Sequence, residues 1–300
     1  MSHSQSIEAN KEAFQKFSAD YDKRAFIKVL QDAVAYILVT FDSTRPRKTL
    51  AETETPINGE EILNMVNALP KGQISGNLLK PGCKIIDFAC GSGAITERLA
   101  PFLTQGEYIG IDVSEGMLEK FNEAAEKIQH EWPNFKVKSL CGDILSNDFA
   151  DASLVGSADL VFSSMAFHHL HDYNAVADKL KTYVKPGGHI VVLDMFKAAS
   201  GPSLLSKHSH GNGNPDELSE VAKEHGASHR GIANEEMVQC LTSGCEEVSS
   251  ARELHLNLWF DKQMVDPEGK KQLPERNGMS LAPCGVVVGV AKRSSTVSGG

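Results

Sequence analysis

The sequence predicts an α/β chain: a doubly wound, mostly parallel sheet preceded by a helical leader. Three observations carry this. The segment Lys84–Thr96 is an apolar run that ends in an acid and two closely spaced glycines and then turns helical. The same alternation of apolar strand and amphipathic helix recurs through residues 107–130 and 159–184. The chain has 300 residues, 41% of them hydrophobic, enough for one large domain or two modest ones.

In chain order, Phe14, Phe17 and Tyr21 recur at helical spacing in a first helix, and Phe26, Val29, Leu30, Val34, Ile37 and Leu38 in a second, both within residues 8–41. Core packing is the plain reading of both stripes. Residues 43–58 form a polar connection containing Pro and Thr, and Gly59–Leu69 restarts a helix that Pro70 ends. The leader, residues 1–78, therefore reads as a helical cap and residues 79–293 as the core. Ile85 and Ile86 suit a central strand buried on both faces, and residues 94–100 have the spacing of the following helix. Next come a strand at 107–113, a helix at 114–130 with Ser114 as its N-cap, and a strand at 135–140. Residues 159–164 form a further strand, 173–184 a helix, Lys185–Gly188 a turn, and 189–196 another strand. Within a lid insertion at about 197–235, residues 198–214 read as a mobile loop, followed by a helix at 215–225. A helix at 234–243, a strand from 247 to 259, a charged hairpin loop at 261–280 and a strand at 283–291 complete the core, with a disordered tail at 294–300.

Gly91 and Gly93 let a ligand approach the backbone beyond the first core strand. A dinucleotide fingerprint wants a third glycine where Thr96 stands, and Asp87 would sit awkwardly beside a pyrophosphate. Asp112 ends the next strand about 20 residues on, where a carboxylate accepts ribose hydroxyls. The ligand reads as a nucleoside without phosphates, and cationic. Quoted together, Asp87-x-Ala89-x-Gly91-x-Gly93 and Gly110-Ile111-Asp112-Val113-Ser114 resemble the first two motifs of the class I S-adenosylmethionine-dependent methyltransferases. Cys141-Gly142-Asp143-Ile144 and the turn Lys185-Pro186-Gly187-Gly188 resemble later motifs in the same order. The stretch Phe17–Asp22 is similar to the opening element of the ubiquinone-biosynthesis branch, and in size and layout the chain also looks similar to fungal enzymes that S-methylate dithiol metabolites.

The resemblance implies a Rossmann-like methyltransferase fold of seven strands with an antiparallel final hairpin, and S-adenosylmethionine as cofactor. It places Asp112 on the ribose, with Val113 and Met117 beside it, and Asp87, Ala89, Gly91 and Gly93 around the methionyl part. It puts Asp143 and the Ile144 amide on the adenine, the backbone of Ser163 and Ser164 on the methionine amino group, and Tyr21 over the methyl donor.

For the acceptor side, His168 and His169 stand just past the strand at 159–164, with His229 second in rank, and imidazole suits proton transfer near neutrality. His171, His208 and His210 lack converging acids or cysteines, so no metal is expected. The net charge of −9 argues against a nucleic-acid surface. Six cysteines without a CxxC pair fit a reducing compartment, and no secretory leader or membrane span is read, which points to the cytoplasm. The expected partner is a small-molecule acceptor bearing a thiol, hydroxyl, carboxylate or activated carbon, bound by a monomer or homodimer. The rival readings are a catalytically silent nucleoside-binding scaffold or regulatory protein of the same fold and, more weakly, an NAD-dependent oxidoreductase.

Overall fold

In the computed structural model, residues 3–17, 20–44, 57–197, 223, 227–266 and 272–295 are described. Strand β2 (Lys84–Phe88) lies near the middle of the sheet because its side chains are apolar on both faces. Ile85 packs into one hydrophobic cluster and Ile86 into the other, and Leu160 and Val161 of β5 (Ala158–Ser164) divide in the same way. β3 (Gly106–Asp112) and β4 (Phe135–Cys141) extend the sheet in parallel on one side of β2. On the other side, β5 and β6 (Val184–Met195) continue in parallel. β7 (Cys245–Asp261) and β9 (Met279–Arg293) then close the sheet as antiparallel partners, β9 lying between β6 and β7.

Among the described residues two more strands appear than the expected seven, and each is two residues long. β1 (Ile57–Asn58) ends the connection read as irregular and pairs in parallel with β7, Ile57 opposite Leu256. β8 (Glu275–Arg276) folds back on β9 within the segment read as a hairpin loop, which also holds the short helix α8 (Lys262–Val265). No sequence periodicity marks strands this short. The turn at Lys185–Gly188 lies inside β6, where the register against β5 shifts between Ala158 and Leu160 and Gly187 adopts φ +74°.

Helices cover both faces. α2 (Ala25–Thr40), α4 (Ala94–Leu103) and α5 (Glu115–Glu131) pack on one cluster, α6 (Tyr173–Tyr183) and α7 (Asn234–Thr242) on the other. α5 begins as read, with the Ser114 hydroxyl accepting from the Met117 amide at 3.4 Å. α1 (His3–Phe17) starts earlier than its aromatic spacing suggested, and Tyr21 falls in a separate 3-10 turn, Tyr21–Lys23. α3 (Gly59–Asn67) carries a capping box in which Glu61 accepts from the Asn58 amide at 2.8 Å. The expected loop at 198–214, all of the helix at 215–225 except Lys223, and the tail beyond Ser295 lie outside the described residues. No described helix is long and apolar enough to cross a membrane.

Candidate functional site

A cleft partly open to solvent lies at the carboxyl ends of β2, β3 and β5, under α1 and beside α2. Its first wall is built by local chain turns. Beyond β2, Ala89 and Gly91 both take left-handed conformations, φ +58° and +55°, which aims the Gly91 amide at β3. The Asp112 carboxylate accepts that amide through Oδ2 at 2.9 Å and the Ser114 amide through Oδ1 at 2.9 Å. Burial raises the Asp112 pKa, and the backbone donors of Ser114, Gly91 and Val113 offset only part of that cost. Asp143, two residues beyond β4, accepts the Leu145 amide at 3.0 Å.

Asp87 sits behind this wall, 1% exposed. Its Oδ2 accepts from the Tyr108 hydroxyl at 2.7 Å, while Oδ1 has no partner. Burial, opposed by the Tyr108 hydrogen bond and reinforced by the Asp112 charge, pushes its pKa up to about 8.

The roof and far wall come from distant segments. His3, Ile7, Asn10 and Phe14 project from α1 into the cleft, and His3 Nε2 lies 2.7 Å from Asp143 Oδ2. Ile27, Leu30, Gln31 and Val34 on α2 supply an apolar flank broken by one amide. Among the contacts that hold these helices on the core, Gln15 accepts the Gly116 amide at 3.2 Å, and Asp32 of α2 pairs with Arg98 of α4. The far wall runs from Ser164 through Met165, another left-handed residue at φ +53°, to His169 and Leu170. The His169 ring meets Phe14 edge-on, centroids 5.1 Å apart, and Phe14 in turn meets Tyr21 at 6.0 Å.

Tyr21, Ala89, Gly91, Asp112, Val113, Met117, Asp143, Ser164 and His169 thus converge on one cleft. Other expected residues lie behind the lining. Ile144 and Ser163 are buried, the Ser163 hydroxyl without a partner. Gly93 caps α4 at φ +83°, where a Cβ would approach Phe121 to 3.0 Å; its lack of a side chain serves the packing of α4 on α5.

His168 and His229 do not line the cleft either. His168 Nδ1 is 2.8 Å from Asp194 Oδ1, and its amide donates to Asp194 Oδ2 at 3.3 Å. Burial pushes the Asp194 pKa up, but the His168 charge and hydrogen bond, with the Met195 amide and the His229 charge, outweigh it and hold the carboxyl below its usual value. His229 has its ring nitrogens 2.9 Å from the Gly231 and Phe167 carbonyls, an arrangement that fixes a turn and leaves no nitrogen aimed at an acceptor. Sequence reasoning missed His3, Asn10, Gln31 and Asp194. The first two share a helical stripe with Ile7 and Phe14, and Gln31 shares one with Ile27, Leu30 and Val34, a usable signal. Asp194 carries none.

The donor set fits a phosphate-free cationic nucleoside. No Lys or Arg stands among the described lining residues, whereas Asp112 and Asp143 do, with Asp87 and its unpartnered oxygen behind them. A pyrophosphate finds no cation here, while a positive ligand relieves two carboxylates whose ionisation burial disfavours.

Comparison with known proteins agrees. A family model described as "Methyltransferase domain" matches residues 86–192, which run from β2 into β6. An uncharacterised methyltransferase of Schizosaccharomyces pombe is 27% identical over 293 residues, covering 94% of this chain and 92% of that protein. A demethylmenaquinone methyltransferase of Desulfitobacterium hafniense is 28% identical over 168 residues, covering 56% of this chain and 61% of its own. A solved putative methyltransferase of Bacillus halodurans is 17% identical, covers 73% of this chain and 95% of its own, and superposes with a TM-score of 0.49. With carboxylates at its strand ends, a methyltransferase domain over residues 86–192 and one methyltransferase relative similar over nearly its whole length, the chain is a methyltransferase whose methyl donor is S-adenosylmethionine.

Proposed function

We propose that the chain methylates a small, uncharged acceptor held between α2 and the turn that follows β5, at a thiol, hydroxyl or activated carbon. One observation supports this above the rest: the carboxylates of the cleft stand at the ends of β3 and β4, whereas the side lined by α2 and residues 165–170 is apolar apart from Gln31 and His169. A carboxylate acceptor would meet no Lys or Arg among the described lining residues, so we set it aside. The demethylmenaquinone methyltransferases among the relatives fit the same class of acceptor by name, although the D. hafniense protein is covered for only 61% of its length. S-methylation of a thiol falls within this class too.

The donor supplies an already activated methyl group, so the protein's contribution is alignment, desolvation and charge. Asp112 and Asp143 fix the nucleoside end, and Ala89 and Gly91 bring backbone against the methionyl end. α1 and α2 exclude water. Holding the two reactants in line supplies on the order of 7–11 kcal/mol. His169 is the imidazole placed to take the proton of a thiol or hydroxyl as the methyl arrives, while His168 is engaged by Asp194. In this reading the leader, residues 1–78, is a cap over the acceptor. The six free cysteines support a reducing, cytoplasmic setting.

Calorimetry with S-adenosylhomocysteine and with NAD tests the cofactor half, and we expect binding of the first alone. Incubation with labelled methyl donor and a panel of thiols, phenols, hydroquinones, amines and acids tests the other half. Label in neutral acceptors is the expected result. Label confined to acids overturns the acceptor class, and no label anywhere in the panel favours the silent scaffold.

A further inference from the structure

The 3-10 turn Phe167–His169 is gripped by its carbonyls. The His168 carbonyl accepts the Ser228 and His229 amides at 2.8 and 3.2 Å, and the Phe167 carbonyl lies 2.9 Å from His229 Nε2. The His169 carbonyl accepts three side chains: Ser228 Oγ at 2.8 Å, Asn10 Nδ2 at 3.1 Å and Ser6 Oγ at 3.4 Å. Two of these donors come from α1, the roof. Asn10 and Ser6 are 7% and 3% exposed, an unusual burial for polar residues on a surface helix. A buried amide or hydroxyl needs a partner, and both side chains donate to the same backbone oxygen on the opposite side of the cleft.

We propose that Asn10, assisted by Ser6, is a positioning residue for methyl transfer. It fixes the backbone under His169 so that the imidazole faces the acceptor, and it can do so only while α1 is docked. Covering the cofactor and placing the acceptor-side imidazole then become one event. This rests on the reading above, in which the acceptor lies beside His169. Asn10 is a positioning residue because its side chain holds the His169 backbone carbonyl and this bond acts on the chemistry through the His169 ring.

The test uses the full chain saturated with S-adenosylhomocysteine. Asn10→Leu keeps approximate size and does not weaken the helix but removes the donor, and Asn10→Gln retains an amide. Nuclear Overhauser contacts report two ring pairs, Phe14 with His169 and Phe14 with Tyr21. We expect Asn10→Leu to lose the first contact, keep the second, and change the S-adenosylhomocysteine Kd by less than threefold. With an acceptor that the wild type methylates, kcat should fall tenfold or more, and Asn10→Gln should recover a substantial part. Ser6→Ala, which removes the longer bond, should show the same pattern more weakly. Persistence of the Phe14–His169 contact in Asn10→Leu overturns the proposal. So does loss of both ring contacts with cofactor affinity falling as far as turnover, because Asn10 would then merely hold the roof on. Failure of the wild type to bind S-adenosylhomocysteine is a different result, and counts against the cofactor reading.

Discussion

The two halves of the cleft are built from contacts of different reach. On the cofactor half, Asp112 binds amides 2 and 21 residues away and Asp143 an amide 2 residues away, with His3 of the roof reaching Asp143 across 140 residues. On the acceptor half, His168 meets Asp194 across 26 residues, and the His169 carbonyl meets Ser228 across 59 and Asn10 across 159. A half whose backbone is set mainly by strand-end turns is written into short motifs and keeps its shape whatever the acceptor. A half assembled from remote segments is free to change with the leader and with the chain around residues 227–232, and so is the natural place for acceptor choice to vary.

Breaking the acceptor half from behind should produce the largest effect. Asp194 is fully buried against His168, and its carboxylate also accepts the Met195 amide at 2.6 Å. Asp194→Ala leaves the buried imidazole and that amide without their partner, a loss of about 3–5 kcal/mol of folding stability. Urea unfolding measures it. A change below about 1 kcal/mol would show that the far wall does not depend on this pair. Asp194→Asn retains the shape and part of the hydrogen bonding, and should cost less.

Breaking the cofactor half should be milder for folding and harsher for the ligand. Asp112→Ala removes a charged acceptor of ribose hydroxyls and frees the Gly91 amide, so S-adenosylhomocysteine affinity should fall tenfold or more, about 1.5–3 kcal/mol. Calorimetry reads this directly, and unchanged affinity would remove Asp112 from the site.

The same contrast explains what the sequence made legible. Residues 84–96, 107–117 and 141–144 announced their strands, turns and acids because each motif is complete within one stretch of chain. Ser114 was readable as an N-cap for the same reason. The two histidines show the limit: side by side after β5, they read as equivalent, and only the position of Asp194 on β6 separates His168 from His169. His3 and Asn10 had a periodic stripe to announce them but no local motif to give it meaning. β1 had neither, since a two-residue strand is defined by its partner β7 and not by its own residues.

The smallest expected effect is a pH dependence confined to the cofactor half. The Asp87 pKa is pushed up to about 8, against about 3.9 for an unfolded aspartate. Between these values the unfolded chain has released the proton and the folded one retains it. This group's contribution to stability therefore falls as pH rises through that window and levels off above it. A sulfonium in the cleft favours the ionised carboxylate, so binding S-adenosylmethionine below pH 8 should expel a proton. For one group titrating near 8, affinity should rise about fivefold between pH 7 and pH 8 and then flatten. S-adenosylhomocysteine, which lacks the sulfonium, should rise less, and Asp87→Asn should abolish the difference in pH dependence between the two ligands. Calorimetry in two buffers of different ionisation enthalpy counts the proton. If none is released at pH 7, the Asp87 charge does not act on the methyl donor, and the selectivity of this half rests on Asp112 and Asp143 alone.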